Sequence, residues 1–184
     1  MKDIEIAYNQ FIEQKIPVFE KYQEQLDETI RESQSISLYD WNNDIFYHHA
    51  HHIALKNEVN EFINECRDIW KYWKNKPVDI DALIDEYVDI IHFVLLIHNK
   101  DYKSYRASIR TFREIVFQQT KSQLSTGDFY IELLYKLEGL SHIQDILAHA
   151  TFIILDYYQF SVDDIVQAYQ RKNQVNIDRQ NNNY

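Results

Sequence analysis

The chain has 184 residues, a formal net charge of −10 at pH 7, and only two glycines and two prolines. This length fits a single domain with a sizeable core, and the scarcity of glycine and proline favours long helices over a β fold with many turns. The negative charge argues against a nucleic acid polymer as the main partner, because phosphate contacts along such a polymer need clustered Lys and Arg.

Apolar residues recur at helical spacing along most of the chain, and no segment shows sustained two-residue alternation. We therefore predict an all-α helical bundle that forms one domain over residues 1–184. The longest predicted helix carries an apolar stripe through Ile53, Val59 and Cys66. The predicted helices cover approximately residues 17–32, 43–74, 79–99, 102–119, 128–139 and 141–159, and a last helix continues from residue 161 into the polar tail.

Local signals mark where several of these helices begin and end. Pro17 can occupy the first turn of its helix, where the missing N–H has no helical partner in any case. Pro77 marks the end of the helix over 43–74, because proline disfavours helical backbone in the residue before it. Capping residues precede three further helices: Asp79 or Asp81, Ser141 with Gln144, and Ser161 with Asp164.

Two consecutive predicted helices each carry acidic residues three positions apart. Glu58 with Glu61, and Glu86 with Asp89, each share one helix face. Antiparallel packing of the two helices can bring these pairs together, and four converging carboxylates would repel one another unless cations lay between them. Oxygen ligands suit Mg²⁺. The alternative is a solvated acidic surface, but the apolar neighbours of Asp89 indicate that this carboxylate is partly buried.

The segment between the acidic pairs contains two lysines beside two tryptophans. Lys71 and Lys74 are candidates for phosphate contacts, and Trp73 is a candidate for stacking on a base. The alternative is a helix end whose cations complement the helix dipole and whose tryptophans fill the core. For Trp70, on the apolar stripe, we favour the core.

The polar tail over residues 172–184 contains Lys172, Asn176 and Arg179. Its composition is typical of a frayed end. If the segment folds over a ligand, however, these three side chains could converge on one anion, with the arginine offering a planar fork and the lysine a point charge. We expect such a tail to close the site only when substrate is present.

Taken in order, these segments resemble the motifs of the dimeric all-α dUTPases, a family of the all-α NTP pyrophosphatases. Gln23, Leu26, Asp27 and Ile30 resemble the family's first-helix signature. The resemblance spans nearly the whole chain, although residues 100–160 are only generically similar. The other motifs lie at residues 58–65, 70–74, 86–93 and 172–184.

The resemblance implies a role for each matching residue. The sequence differs from the family pattern at two positions. Asn183 stands where a glycine usually precedes the last tyrosine, and Asp27 stands where asparagine is common. The implied metal ligands are Glu58, Glu61, Glu86 and Asp89. The implied contacts to uracil or the sugar come from Gln23, Asn64, Trp73 and His92. The implied phosphate contacts come from Lys71, Lys74, Lys172, Asn176, Arg179 and Tyr184.

The expected reaction is Mg²⁺-assisted attack of water on the phosphate chain of dUTP, giving dUMP and pyrophosphate. The resemblance implies that dUDP is also cleaved. Either Glu58 or Glu61 would take the proton from the water, and we prefer Glu58. The alternatives are a dCTP-specific or broader NTP pyrophosphatase, and a non-catalytic helical module whose acidic face binds a basic protein.

Three further expectations concern metal, assembly and location. Histidines at positions 48, 49, 51 and 52 are spaced for chelation, but the carboxylates supply the better-defined metal site, so we expect no transition metal there. The resemblance implies a homodimer, and residues 100–160 could supply an apolar interface or complete a monomer's core. The single cysteine, the charged N-terminus and the short apolar runs predict a soluble cytoplasmic protein without a signal peptide or membrane span.

Overall fold

The computed structural model describes residues 2–101 and 107–182. All regular structure in these residues is helical, so the prediction of an all-α bundle is confirmed. The α-helices are α1 (Lys2–Gln10), α2 (Ile16–Ser33), α3 (Leu38–Asn43), α4 (Ile45–Glu65), α5 (Arg67–Trp70), α6 (Ile80–Asp101), α7 (Ala107–Lys121), α8 (Thr126–Gly139), α9 (Ile143–Phe152) and α10 (Val162–Asn181). Phe11–Lys15 and Ile153–Tyr157 are π-helical.

Helix α6 lies at the centre of the bundle and contacts α2, α4, α9 and α10. Most of its side chains from Leu83 to Ile97 are apolar and buried, and its acidic residues Asp85, Glu86 and Asp89 are partly buried, as expected of a helix that other helices surround. Phe62 of α4 lies against Tyr87, while Glu58 of the same helix lies near Asp89. Since the residue numbers run in opposite directions, α4 and α6 are antiparallel, and the acidic residues of both helices can meet.

The prediction of one long helix over residues 43–74 is wrong at the C-terminal end, because α4 ends at Glu65. Cys66 has a non-helical backbone, and the chain turns there so that Trp70 folds back on α4. Trp70 Nε1 donates a hydrogen bond of 2.8 Å to the carbonyl oxygen of Ile63, and Lys71 Nζ donates one of 3.0 Å to that of Asn64. The last carbonyls of a helix have no partner within it, so these side chains stabilise the early end.

Two of the three predicted capping arrangements are confirmed. Asp79 Oδ1 accepts a hydrogen bond from the Ala82 N–H at 3.2 Å, and Ser161 with Asp164 forms a complete capping box at the start of α10. The predicted box of Ser141 and Gln144 is wrong, because α9 begins after His142 and no side chain caps it. The Ser141 position is therefore one residue too early to serve as the N-cap.

Helix α1 and the π-helical segment after it carry no motif, and the sequence analysis assigned no helix to residues 2–15. Tyr8 stacks on Phe112 with ring centroids 3.8 Å apart, and its hydroxyl donates a 2.7 Å hydrogen bond to Ser108 Oγ.

The prediction that Ile53 belongs to the buried apolar stripe of its helix is wrong, because its side chain is 71% exposed. No described helix combines the length and the apolar character that a membrane crossing requires.

Candidate metal and nucleotide site

Three carboxylates from α4 and α6 meet on one side of the central helix. One oxygen each of Glu58, Glu86 and Asp89 lies within 4.8 Å of the other two, and all three residues are partly buried. Glu86 and Asp89 share a face of α6 because they are three residues apart, and the antiparallel packing of α4 places Glu58 opposite them. We call these three residues the acidic cluster.

Burial and mutual repulsion raise the pKa of every member of the acidic cluster. For Glu58, burial and then the charges of Asp89, Glu61 and Glu86 raise the pKa to about 7. Burial followed by the charge of Asp89 raises the pKa of Glu86. Burial also raises the pKa of Asp89, against the hydrogen bond from Lys172. Each shift means that the site disfavours negative charge in the absence of a cation.

Glu61, the fourth predicted metal ligand, lies at the edge of the acidic cluster. Its side chain is exposed, and its Oε1 accepts a hydrogen bond of 2.6 Å from Asn57 Nδ2. Its charge still contributes to the raised pKa values of Glu58 and Glu86, which places it nearby. The structure therefore brings three of the four predicted ligands together and leaves Glu61 outside their immediate group.

The donor set of the acidic cluster fits a hard divalent cation. Its ligand atoms are carboxylate oxygens, which Mg²⁺ and similar ions prefer, and a few such groups suffice because Mg²⁺ keeps several of its waters. A positive ion among these oxygens would also relieve the repulsion that raises their pKa values. The residues present are therefore suited to hold the divalent metal that the resemblance implies.

Lys172 of α10 brings a positive charge to the acidic cluster. Its Nζ lies 2.6 Å from Asp89 Oδ2. Burial opposes the ammonium form, but the hydrogen bond and charge of Asp89, with the charges of Asp85 and Glu86, outweigh it and raise the pKa of Lys172. The lysine therefore stays charged and balances part of the cluster's negative charge.

A cavity of about 290 Å³ adjoins the acidic cluster between α2, α6 and α10. Residues 172–181 are helical here and pack with the rest of α10 against α2 and α6, instead of forming a loose tail. The cavity also has an apolar side formed by Leu26, Ile30, Phe93 and Leu96. The predicted site residues that line the cavity are Gln23, Glu58, Asp89, His92, Lys172, Asn176 and Arg179.

Gln23 and His92 are buried and hydrogen-bonded to each other on the wall of the cavity. Gln23 Nε2 donates to Asp27 Oδ1, and His92 Nδ1 is paired with Gln23 Oε1, each at 2.7 Å. The His92 ring stacks on Tyr169 with centroids 4.4 Å apart. Burial, and to a lesser degree the charge of Lys172, lowers the pKa of His92 to about 3, so the imidazole is neutral at neutral pH.

Four predicted substrate contacts lie outside the cavity. Trp73 is 58% exposed, and Lys74 is exposed beside it. Lys71 donates to the backbone and side-chain oxygens of Asn64, so these two residues bind each other. Burial, followed by the charges of Lys74 and Arg67, lowers the pKa of Lys71. A further predicted contact, Tyr184, lies outside the described residues.

Among the residues that line the cavity, Leu96 lies outside every motif found in the sequence. Leu96 follows Asp89 and His92 at intervals of seven and four, so the helical periodicity that grouped those two could have included it. Gln180 belongs to the motif over residues 172–184 but was assigned no contact, because its position depends on how α10 lies against α2. Its Oε1 accepts a 3.2 Å hydrogen bond from Ser33 Oγ.

The histidine-rich start of α4 lies apart from the acidic cluster. His51 is buried, with its ring centroid 4.8 Å from that of Trp41. The rings of His48 and His52, one turn apart, have centroids 4.8 Å from each other. Within residues 2–101 and 107–182, the acidic cluster is the group of three or more ligands that could hold a metal ion.

An all-α bundle that sets an acidic cluster suited to a divalent cation beside a cavity lined by a lysine and an arginine has the groups that hydrolysis of a phosphorylated small molecule requires. These features agree with the class that the resemblance implies, the all-α nucleoside triphosphate pyrophosphohydrolases. A family model described as dUTPase matches residues 15–184, and the chain belongs to this family. Its members are dUTP diphosphatases, so the expected enzyme class is confirmed. No curated protein matches the sequence.

Proposed function

We propose that this enzyme hydrolyses dUTP, and also dUDP, to dUMP by Mg²⁺-assisted attack of water on the phosphate chain. Membership of the dUTPase family supports dUTP as the substrate. The observation that carries the rest is the meeting of Glu58, Glu86 and Asp89 within 4.8 Å, beside a cavity that Lys172 and Arg179 also line. The acidic cluster could hold the metal, and the two cations could contact the phosphate chain directly. Hydrolysis of a phosphate chain needs both kinds of contact.

Glu58, Glu86 and Asp89 would hold the metal, and Glu61 is the proposed fourth ligand at the edge of the cluster. When bound, Mg²⁺ neutralises phosphate charge and makes a coordinated water more acidic. We assign the proton acceptor to Glu58, because Glu58 lines the cavity whereas the exposed Glu61 is bonded to Asn57. A general base must lie within hydrogen-bonding reach of the water it activates.

The phosphate contacts are assigned to one face of α10. Lys172, Asn176 and Arg179 are four and three residues apart, so they follow one another along that face. All three line the cavity, which means that closure of a loose tail is not required to bring them to the substrate. The arginine can bind two phosphate oxygens at once, and the lysine can exchange Asp89 for a phosphate oxygen.

The base contacts are assigned to Gln23 and His92, whose buried side chains line the cavity. Asn64, Lys71, Trp73 and Lys74 remain proposed contacts. Asn64 lies in α4, whereas Lys71, Trp73 and Lys74 follow α5 and would have to move with that segment to reach a substrate in the cavity. Residues 72–77 are non-helical and exposed, so a movement of Trp73 and Lys74 would disrupt few packing contacts. A movement of the buried Lys71 would also break its hydrogen bonds to Asn64. Tyr184 remains a proposed phosphate contact from the sequence.

We also propose a homodimer located in the cytoplasm. An apolar groove of about 320 Å³ lies between α4, α5 and α8, lined by Ile63, Trp70, Leu134 and Tyr135 among others, and Tyr135 is 78% exposed. Exposed apolar grooves are typical of protein interfaces. Light scattering of the purified enzyme should give twice the chain mass, and Tyr135→Lys should reduce it to a monomer. Cys66 is the single cysteine of the sequence and is free, so no disulfide forms within the chain, which supports a reducing compartment.

A phosphate-release screen with Mg²⁺ tests the substrate and the metal together. Release from dUTP should require added inorganic pyrophosphatase, because the direct products are dUMP and pyrophosphate, whereas dUDP should release phosphate without it. EDTA and the Glu86→Gln variant, shown to be folded by circular dichroism, should each abolish release. Faster hydrolysis of dCTP, equal hydrolysis of all nucleotides, or full activity in EDTA would contradict the proposal.

A further inference from the structure

Asp27, Gln23 and His92 form a continuous hydrogen-bonded chain on the wall of the cavity. The two hydrogen bonds are each 2.7 Å long, and the side chains are 8%, 2% and 5% exposed respectively. Buried polar groups of this kind adopt one arrangement, because a reversed amide or ring would leave donors facing donors. The order of donors and acceptors along these hydrogen bonds is therefore fixed.

The direction is set at the Asp27 end. A carboxylate can only accept hydrogen bonds, so Gln23 must point its amide nitrogen at Asp27 and its carbonyl oxygen at His92. The carbonyl oxygen in turn requires a donor, so the proton of the neutral imidazole must reside on Nδ1. His92 Nε2 is then left with a lone pair and no hydrogen.

His92 Nε2 has no hydrogen-bond partner among the described residues, although it is buried. The ring cannot rotate freely to find one, since it stacks on Tyr169, whose hydroxyl is tied by a 3.2 Å bond to the Phe19 carbonyl oxygen. A buried acceptor without a donor is costly. A ligand in the cavity that His92 lines can remove this cost by offering an N–H group.

We propose that Asp27 is a positioning residue that makes His92 Nε2 a hydrogen-bond acceptor for the base, and that it thereby selects uracil over cytosine. This inference rests on the proposed function of the cavity. Uracil carries a hydrogen on ring nitrogen N3, whereas cytosine has a lone pair there that would face the lone pair of Nε2. The asparagine that is common at this position in the resembling family can present either oxygen or nitrogen to Gln23, so it does not fix the direction.

The first test measures the tautomer of His92 directly and needs no substrate. Nuclear magnetic resonance of histidine-labelled enzyme, with the His92 signals identified by their loss in His92→Gln, should show the hydrogen on Nδ1. In Asp27→Asn, the ring nitrogens should report a mixture of both tautomers, and in the exposed neighbour Glu28→Gln they should match wild type. A hydrogen on Nε2 in wild type, or an unchanged tautomer in Asp27→Asn, would overturn the inference.

The second test measures selectivity. The ratio of kcat/KM for dUTP over dCTP should exceed about 100-fold in wild type and in Glu28→Gln, since a site left with a mismatched polar group rejects the wrong ligand strongly. It should fall at least about tenfold in Asp27→Asn, through faster use of dCTP more than through slower use of dUTP. An unchanged ratio in a folded Asp27→Asn enzyme would overturn the inference.

A third measurement covers the case in which Asp27→Asn does not fold. Wild type should bind dUMP at least about tenfold more tightly than N3-methyl-dUMP, which lacks the hydrogen that Nε2 accepts, and equal binding would overturn the inference.

Failure of the proposed function can be distinguished from failure of this inference. An enzyme that cleaves no pyrimidine nucleotide refutes the function, while the tautomer of His92 is still measurable. An enzyme that cleaves dUTP with the hydrogen on Nε2 refutes only the role of Asp27.

Discussion

Lys172 Nζ lies 2.6 Å from Asp89 Oδ2, so the last helix of the chain supplies a counter-charge to the acidic cluster on α6. Both side chains are partly buried. A divalent ion bound by Asp89, as proposed, would compete with the ammonium of Lys172 for the same carboxylate oxygens. The lysine therefore stabilises the metal-free enzyme, and metal binding would release it to contact phosphate.

Lys172→Met should lower stability by about 1–2 kcal/mol in EDTA, because it leaves Asp89 without its partner among repelling carboxylates. The loss should shrink in excess Mg²⁺, since the ion supplies the missing positive charge. Thermal unfolding in both buffers measures the effect. Arg171→Met is the matched control: its ion pair with Asp85 is more exposed, so it should cost less and respond little to Mg²⁺. Equal losses in both buffers for Lys172→Met would contradict this account.

Glu86→Gln should remove activity and yet stabilise the metal-free enzyme by about 0.5–1 kcal/mol. Burial and the charge of Asp89 raise the pKa of Glu86, which means that its ionised form is unfavourable in the folded state. The neutral amide removes that repulsion. Denaturant unfolding in EDTA measures the gain, with the exposed Glu24→Gln as a control that should change little. A loss of stability in Glu86→Gln would show that the carboxylate is favourable even without metal.

The stability of the metal-free enzyme should fall as the pH rises from about 4.5 to about 7 through Glu58. The pKa of this group is about 7 in the folded protein and near 4.5 in the unfolded chain. The folded state therefore binds more protons in this window, and the free energy of unfolding decreases with rising pH. Because Glu58 is about half-buried, we expect roughly 1–2 kcal/mol after solvent screening.

The comparison of wild type with Glu58→Gln isolates this contribution from the other titrating groups. Unfolding in EDTA at a series of pH values should show a steeper decline for wild type, and the two curves should run parallel above about pH 8. Saturating Mg²⁺ should flatten the difference, because the ion favours the ionised carboxylate. Parallel curves throughout would mean that Glu58 titrates near its ordinary pKa.

Replacement by alanine should lower the stability of the enzyme at Trp70 but not at Trp73. Trp70 packs against the core and donates to Ile63, so Trp70→Ala should cost about 2–3 kcal/mol. Trp73 is exposed, so Trp73→Ala should leave stability nearly unchanged. If the segment after α5 moves to the substrate, Trp73→Ala should raise the KM for dUTP. It should also remove the change in tryptophan fluorescence that accompanies nucleotide binding. An unaltered KM would exclude Trp73 from the substrate site.

The sequence predicted the helical class, and the boundaries of α2, α6 and α8 to within two residues, because these depend on interactions between residues a few positions apart. The periodic apolar residues of α6, Asp79 before it, and the capping box at Ser161 are local signals of this kind. The same periodicity placed Glu86 and Asp89 on one face. It gave no warning that α4 ends at Glu65, because the side chains that satisfy its last carbonyls fold back from residues 70 and 71.

The tertiary structure alone decided which polar groups meet. Glu58 and Glu61 share a helix face and are equivalent by spacing, but the rotation of α4 against α6 directs Glu58 into the cavity and leaves Glu61 exposed. Contacts of Gln23 with His92 and of Lys172 with Asp89 join distant helices. Helical periodicity fixes the direction of a side chain about its own axis, whereas the packing of one helix on another fixes which partner that side chain reaches.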